Sequence, residues 1–262
     1  MKKLVALMLV GAMTAAMVTG CGSSADTSAS TDAAAEDTAA DAEATEDTAE
    51  AAEDTAADAK SDLAYVKEKG TLVVGITEFE PMDYKDENGE WIGFDADMAK
   101  AFAESLGVTA EFQVIDWDNK ILELDGKTID CVWNGMTLTD EVTSAMECTN
   151  AYLNNAQVVV VPADVADQYQ DEESLKDLSF AVEAGSAGED QVERIGAQYT
   201  SVTSQADALM EVASGNSDAA AIDALMAAAM IGEGTGYADL TYTISLNNEE
   251  YGVGFRKGSD LA

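Results

Sequence analysis

The chain has 262 residues, of which 51 are acidic and 13 basic, and its formal net charge at neutral pH is −38. A surface this negative repels the phosphates of nucleic acids, which excludes nucleic-acid binding as a function class. The sequence contains no histidine, which excludes Ser-His and Cys-His catalytic pairs and metal sites built on histidine ligands.

The first 21 residues have the pattern of a secretion signal. Lys2 and Lys3 precede an apolar run over residues 4–18, which is too short to span a bilayer as a helix. Small residues then lead to a lone cysteine, Cys21, in an arrangement that resembles the processing site of bacterial lipoproteins. We expect residues 1–21 to be a lipoprotein signal peptide and acylated Cys21 to anchor the exported chain to the outer face of the cell membrane. An ordinary secretion signal with an incidental cysteine is the alternative.

Residues 22–60 consist almost entirely of Ala, Asp, Glu, Thr and Ser, without any aromatic or large aliphatic side chain. Twelve of the 51 acidic residues fall in this segment. Because it can bury so little apolar surface, it cannot offset the entropy lost on ordering, and its like charges repel one another. We expect a disordered acidic tether that holds the folded part away from the membrane.

From residue 63 onward, apolar runs of strand length alternate with helical patterns. Phe94, Met98, Phe102 and Leu106 recur at near-helical spacing, and Gly107 is placed to end that helix. Alternation of strands and helices is typical of an α/β protein with helices on the faces of its sheets. The predicted strands are 71–76, 110–114, 129–133, 156–161, 178–182, 218–222 and 242–255.

Six short motifs occur in the order in which one protein family has them. They are residues 75–84 (GITEFEPMDY), 87–95 (ENGEWIGFD), 116–118 (DWD), 126–130 (GKTID), 134–139 (NGMTLT) and 251–258 (YGVGFRKG). With these motifs the chain resembles the polar-amino-acid type of extracellular solute-binding proteins (family 3), the receptor components of bacterial ABC importers. Each motif alone is weak, but six in the family's order are specific, and the resemblance extends from residue 63 to the last residue.

The resemblance implies an α/β fold of two lobes, a type II-like periplasmic-binding-protein clamp with a two-strand hinge. Residues 61–157 and 246–262 are expected to form lobe 1, and residues 158–245 to form lobe 2. Family members continue past the strand that precedes Arg256 with helices that pack back on lobe 1. These C-terminal helices are therefore expected to be missing from the sequence, which would leave an apolar face of lobe 1 uncovered.

Two aromatic residues are the expected walls of the ligand site. By resemblance, Phe79 is the aromatic platform that follows the first strand, and Trp117 is the opposing wall, so the two rings would hold the ligand's side chain between them. The alternative for both rings is the hydrophobic core, which is also the expectation for Trp133.

The resemblance also implies polar contacts from both lobes. Asn134, Gly135 and Thr137 match the turn whose backbone groups and hydroxyl hold the ligand headgroup. Ser186 matches a lobe 2 loop that supplies hydroxyl or amide contacts. Asp223 matches the carboxylate that accepts hydrogen bonds from the ligand's ammonium group, and the alternative for it is a helix N-cap, which is compatible with that role.

One feature of the family is absent from the sequence. Where the family has an arginine that binds the ligand carboxylate with two hydrogen bonds, this chain has Val142, which cannot donate. Neither arginine of the chain aligns with the cleft. Lys120, one helical turn past Trp117, is expected to be exposed, and the alternative is that it reaches into the cleft. We therefore expect an acidic pocket and a positively charged ligand: a basic amino acid, a small peptide or an amine. The acidic residues expected near the mouth are Glu78, Asp140, Glu141 and Asp223.

The implied function is that of a substrate-binding lipoprotein of an ABC importer, which delivers an amino acid or a related amine-bearing solute to a membrane permease. The expected protein is a monomer with no cofactor, no metal site and no catalytic residue. Two alternatives stay open: an exported dehydratase-like enzyme on the same fold, which would rely on carboxylates such as Glu78 and Asp223, and a ligand-sensing surface lipoprotein. Cys131 and Cys148 either form a disulfide or remain two buried thiols.

Overall fold

The computed structural model describes residues 61–262, so the predictions for residues 1–21, including Cys21, and for residues 22–60 lie outside the described residues. Within this range, no helix has the length and hydropathy needed to cross a bilayer. The strands are β1 Thr71–Ile76, β2 Tyr84–Lys85, β3 Trp91–Ile92, β4 Thr109–Val114, β5 Cys131–Thr137, β6 Glu147–Cys148, β7 Leu153–Asn155, β8 Gln157–Pro162, β9 Ser179–Glu183, β10 Gln198–Val202, β11 Ala219–Asp223, β12 Leu240–Ser245 and β13 Glu249–Phe255. The helices are α1 Asp62–Lys69, α2 Phe94–Leu106, α3 Lys120–Asp125, α4 Asp140–Ala145, α5 Ala187–Ile195, α6 Gln205–Ala213 and α7 Ala224–Met230.

Two mixed sheets organise the described residues. The first has the strand order β4-β1-β5-β13-β6, in which β4, β1 and β5 are parallel and β13 is antiparallel to its neighbours, including β7. The second has the order β10-β9-β11-β8-β12, in which β10, β9 and β11 are parallel and β8 is antiparallel to both neighbours. We call the parts built on the first and second sheets lobe 1 and lobe 2. The chain enters lobe 2 between β7 and β8 and returns to lobe 1 between β12 and β13.

Apolar side chains fill both faces of each sheet. In lobe 1, α1 and α2 cover one face, where Trp133 also lies, and α3 and α4 cover the other. In lobe 2, α5 covers one face, and α6 and α7 cover the other. Strands enclosed in this way are apolar on both sides, as the four-valine run of β8 illustrates. The carboxyl ends of three such strands, β5, β9 and β11, meet at one pocket.

The predicted helix after Phe94 is confirmed, but its buried face is not the expected one. Helix α2 begins at Phe94 and ends at Leu106, and Gly107, whose φ is 78°, is its C-cap. Phe94 and Met98 are about half exposed, at 48% and 47%, and small alanines face the core instead. The reason is Asp95, whose buried carboxylate accepts a hydrogen bond of 2.6 Å from the Gly135 N–H and turns its side of the helix inward.

Cys131 and Cys148 are free thiols in the structure. They lie on opposite sides of β13, with Cys131 opposite Phe255 and Cys148 opposite Gly254. Two strand spacings, about 9–10 Å, therefore separate them. A disulfide requires Cα atoms closer than about 7 Å, so this arrangement leaves the two thiols unpaired.

Candidate functional site

A pocket lies between the two lobes, where strands of both sheets end. Its empty volume is about 480 Å³, which includes space open to solvent at its mouth. Lobe 1 contributes the end of β5, the turn before α3 and the start of α4, and lobe 2 contributes the ends of β9 and β11 and the starts of α5 and α6. The lining residues are Trp117, Lys120, Asn134, Gly135, Met136, Thr137, Thr139, Glu141, Val142, Gln157, Glu183, Gly185, Ser186, Ala187, Asp190, Gln205 and Asp223.

Trp117 and Lys120 form one wall of the pocket. Trp117 begins a short 3-10 turn ahead of α3. The expectation that Lys120 is exposed is wrong, because the side chain is folded against Trp117 and lobe 2 and the residue is only 7% exposed. Its Nζ donates to the carbonyl oxygens of Gly185 (2.9 Å) and Trp117 (3.3 Å) and lies 5.1 Å from the centre of the indole ring. Burial lowers the pKa of Lys120, and nearby acidic groups, Glu141 foremost, oppose that shift.

The end of β5 brings Asn134, Gly135 and Thr137 to the pocket, and internal hydrogen bonds occupy two of them. The Asn134 side chain bonds Thr77 and Asp83, and the Gly135 N–H donates to the buried aspartate of α2. Thr137 is outside this network and is half-buried at the pocket. Its hydroxyl is therefore the polar group of this turn that is best placed for a ligand.

Asp223 lies where β11 ends and α7 begins. It occupies the N-cap position of α7 but makes no capping hydrogen bond with its side chain. Instead, its carboxylate accepts hydrogen bonds from the side chains of Asn155, Gln205 and Tyr251. Asp223 is 3% exposed, and burial, followed by the negative charge of Glu249, raises its pKa above the ordinary range. A cation in the pocket would stabilise the ionised form of this carboxylate.

Glu183 is a second buried carboxylate of the pocket, and sequence analysis missed it. It is the last residue of β9, it is 2% exposed, and its Oε1 has no hydrogen-bond partner among the described residues. Burial, followed by the charge of Asp223, raises the pKa of Glu183 to about 8. The signal that was available is its position, because ligand sites of open α/β sheets lie at the carboxyl ends of parallel strands.

Ser186 caps the helix that begins at the pocket. Its Oγ accepts a hydrogen bond of 3.1 Å from the N–H of Glu189. The cap leaves the start of α5, beginning at Ala187, against the pocket. Free N–H groups in the first turn of a helix favour a negatively charged or polar ligand group.

The lining as a whole is net negative. Glu183 and Asp223 are buried, whereas Glu141 and Asp190 are exposed at the rim. Against these four carboxylates stands one cation, Lys120. This balance favours a ligand that carries positive charge.

Three of the expected residues lie away from the pocket. Glu78 and Asp140 are exposed and do not line it. Phe79 is 2% exposed and packs edge-on against Tyr251, with the ring centres 6.5 Å apart. The ring is accommodated because Gly135 has no side chain: a Cβ there would stand 2.5 Å from it. The expectation of two opposed aromatic walls is therefore wrong, and Trp117 alone represents the aromatic residues in the described lining.

The position that the family fills with an arginine holds an apolar side chain here. Val142 is 3% exposed and lines the pocket at the start of α4. Arg194 forms an ion pair on the surface of lobe 2, and Arg256 is buried between two aspartates of lobe 1. Among the described residues, Lys120 is thus the one cation in the lining of the pocket.

Residues 72–260 match the bacterial extracellular solute-binding proteins, family 3. The chain belongs to this family. A curated relative, the L-cystine-binding protein TcyJ of Escherichia coli (strain K12), is 27% identical over 199 residues that cover 74% of each chain. An arginine-bound mutant of ArgBP from T. maritima has a TM-score of 0.71 and 31% identity, covering 76% of this chain and 94% of that chain. The ancestral amino acid-binding protein AncCDT-1, a precursor of cyclohexadienyl dehydratase, has a TM-score of 0.68 and 34% identity, covering 76% of this chain and 87% of that chain.

These likenesses confirm the predicted fold class, the α/β two-lobe periplasmic-binding-protein fold. Further curated relatives are an arginine-binding extracellular protein of Bacillus subtilis (strain 168) and a probable amino-acid ABC transporter-binding protein of Haemophilus influenzae. In this member of the family, a hydrogen-bond network joins the pocket to the segments where the chain crosses between lobes. Gln157 Nε2 donates to Glu249 (2.9 Å), and Asn155 donates to both Glu249 (2.6 Å) and Asp223. A ligand that contacts Asp223 is therefore linked through Asn155 to the segments where the chain crosses between the lobes.

Proposed function

We propose that the protein is the solute-binding component of an ABC importer and that it captures a cationic amino acid. The observation that carries the proposal is the buried carboxylate of Asp223, which accepts three side-chain hydrogen bonds, in a pocket lined by four acidic side chains and one lysine. A buried charge without a counter-ion costs several kcal/mol, and a cationic ligand would supply the counter-ion. The arginine-bound relative from T. maritima agrees with this choice of ligand.

The proposed mechanism is a population shift between open and closed lobes. The ligand would touch Trp117, Lys120 and Thr137 on lobe 1 and Asp223 on lobe 2. Because such a ligand binds the closed arrangement better than the open one, it moves the equilibrium toward closure. The closed form would dock on a membrane permease, and the protein would act as a monomer without a cofactor.

A calorimetric titration of the full chain against a solute panel tests this function. The panel contains L-arginine, L-lysine, L-histidine, L-cystine, L-glutamate and putrescine. We expect the cationic amino acids to bind most tightly and a ligand at 100 times its Kd to stabilise the protein by about 2.7 kcal/mol in a thermal-shift assay. Preference for L-glutamate, or binding of none of the panel, contradicts the proposal.

We further propose that the protein has no enzymatic activity and that it carries a lipid anchor at Cys21. Recovering each ligand unchanged after prolonged incubation is the expected result for a binding protein, and product formation would favour the dehydratase-like alternative.

We expect Cys21→Ser to release the exported protein into the medium, because it removes the acyl chains that hold it at the membrane. Equal membrane retention of Cys21→Ser and the unmodified sequence contradicts anchoring at Cys21.

A further inference from the structure

Asp223 cannot satisfy a ligand ammonium group by itself. An ammonium group has three N–H donors, and a carboxylate has about four acceptor positions. Three of those positions on Asp223 are taken by Asn155, Gln205 and Tyr251. One position is left for a ligand, so a buried ammonium group would need acceptors from elsewhere in the pocket.

Glu183 can supply a further acceptor for the ligand's ammonium group. Its side chain is almost fully buried, it lines the same pocket as Asp223, and its Oε1 is without a partner among the described residues. An unsatisfied buried carboxylate oxygen costs free energy, and most such atoms in folded proteins have a partner. The hydroxyl of Thr77 and the amide of Gln205 lie close enough to favour its ionised form in part.

We propose that Glu183 is a ligand-contacting, specificity-determining residue that accepts a hydrogen bond from the primary ammonium group of the solute, together with Asp223. The inference rests on the proposed function, since it names the group of the ligand that this part of the pocket recognises. It restricts the solutes to those with a primary ammonium group, and a guanidinium or carboxylate elsewhere in the ligand is recognised separately.

The charges around Glu183 make its contact with the ligand dependent on pH. Asp223 on β11 is its nearest like charge, and Lys120 on α3 opposes it; Lys120 is itself influenced by Asp118, Glu141 and Asp190. Because burial raises the pKa of Glu183 to about 8, much of the ligand-free protein carries a proton on this carboxyl at pH 7. A ligand cation favours the ionised form, so binding releases a proton and the affinity increases as the pH rises toward 8.

The test compares Glu183→Gln with a matched charge-removing control, Glu104→Gln, which changes an exposed residue of α2 outside the pocket. Each protein is titrated with one pair of ligands, L-arginine and 5-guanidinopentanoic acid. The second member of the pair lacks the α-amino group and therefore has no primary ammonium group. The titrations are repeated in phosphate and Tris buffers, whose different ionisation enthalpies report the number of protons released on binding.

We expect Glu183→Gln to weaken binding of the complete amino acid at least tenfold and of its des-amino analogue less than threefold. Proton release should decrease in this variant, whereas Glu104→Gln should match the unmodified protein in both quantities. Circular dichroism checks folding. If Glu183→Gln does not fold, Glu183→Ala is compared with Glu104→Gln instead.

Three results overturn the inference: unchanged affinity for L-arginine, equal losses for both members of the pair, or unchanged proton release. In each of these cases the unmodified protein still binds an amino acid of the panel. Failure of the proposed function is a different result, since the unmodified protein then prefers L-glutamate or binds none of the panel.

Discussion

Lys120 shows how one side chain defines what the pocket accepts. Its Nζ uses two donors on the carbonyl oxygens of Gly185 and Trp117, and a lysine ammonium has three. The third donor is available to a ligand carboxylate, which is the group that has no arginine partner here because Val142 occupies that position. Lys120 is therefore a candidate for the carboxylate contact.

Replacing this lysine should discriminate between ligands with and without a carboxylate. We expect Lys120→Met to weaken L-arginine binding at least tenfold, in line with the loss of a charge-assisted hydrogen bond of about 1.5–3 kcal/mol. Agmatine, which is L-arginine without the carboxylate, should bind equally well or more tightly, because removing a cation makes the pocket more negative. Calorimetric titration measures both affinities, with the exposed Lys176→Met as the control. Equal losses for the two ligands would show that Lys120 does not contact the carboxylate.

At the residue scale, the family resemblance proposed Trp117, Thr137 and Asp223 as site residues, and all three line the pocket. The sequence does not reveal the burial of a side chain whose partner lies far away along the chain. Lys120 is buried because its hydrogen-bond partner Gly185, 65 residues away, belongs to the other lobe. Glu183 was missed because none of the family motifs includes it, although its position at the carboxyl end of a predicted strand was a usable signal.

At the scale of elements, the turn between β9 and α5 forms a close contact between the lobes. Gly185 has φ 69°, and a Cβ there would stand 2.7 Å from the Cα of Asp118 on lobe 1. Contacts of that length force the surrounding atoms apart. Since Gly185 also accepts the hydrogen bond from Lys120, the close approach of the lobes depends on the absence of a side chain at this position.

A methyl group at this turn should therefore impair binding. We expect Gly185→Ala to weaken L-arginine binding at least tenfold because the lobes can no longer meet at Asp118. The control is Gly196→Ala, where φ is 77° and nothing lies within 4 Å of the new Cβ. This control should lose about 1 kcal/mol of stability through backbone strain and keep its affinity. Urea unfolding measures the loss of stability, and calorimetry measures the loss of affinity. Equal affinities for the two variants would show that the contact between Gly185 and Asp118 is not needed for binding.

The element boundaries were predictable where apolar runs coincide with strands. The run 71–76 is β1 in full, whereas the predicted strand 129–133 continues in the structure to Thr137. It continues because the polar groups of Asn134 and Gly135 are satisfied by buried partners from elsewhere in lobe 1. The predicted strand 242–255 is divided into β12 and β13 because the chain crosses between the lobes at this point. Local patterns contain no information on either event.

At the scale of the whole molecule, buried acids couple stability to pH. Burial is the largest cause that raises the pKa of Asp83 to about 8, of Asp95 to about 6 and of Glu183 to about 8. In the folded state these groups keep their protons to higher pH than in the unfolded chain. The folded state therefore binds more protons between about pH 4 and pH 8, and stability falls as the pH rises through this window.

Other acids make the protein less stable at low pH. Hydrogen bonds from Ser179 lower the pKa of Asp218, and one from Ser61 lowers that of Asp260. Their contribution to stability is present above the unfolded pKa, about 4, and is lost as the pH falls below it. The two groups of acids together place the most stable condition of the ligand-free protein near the unfolded carboxyl pKa, at about pH 4.

Urea unfolding of the ligand-free protein between pH 4 and pH 8 tests this coupling. We expect the free energy of unfolding to be highest at about pH 4 and to decrease steadily toward about pH 8. The net charge of −38 contributes repulsion in the same direction, but about 0.5 M salt screens that long-range part and leaves the effect of buried groups. In salt, Glu183→Gln and Asp83→Asn should each show a shallower decrease, while Glu104→Gln should follow the unmodified protein. A stability that rises between pH 5 and pH 8 in salt would mean that these carboxyls are ionised in the folded state throughout the range.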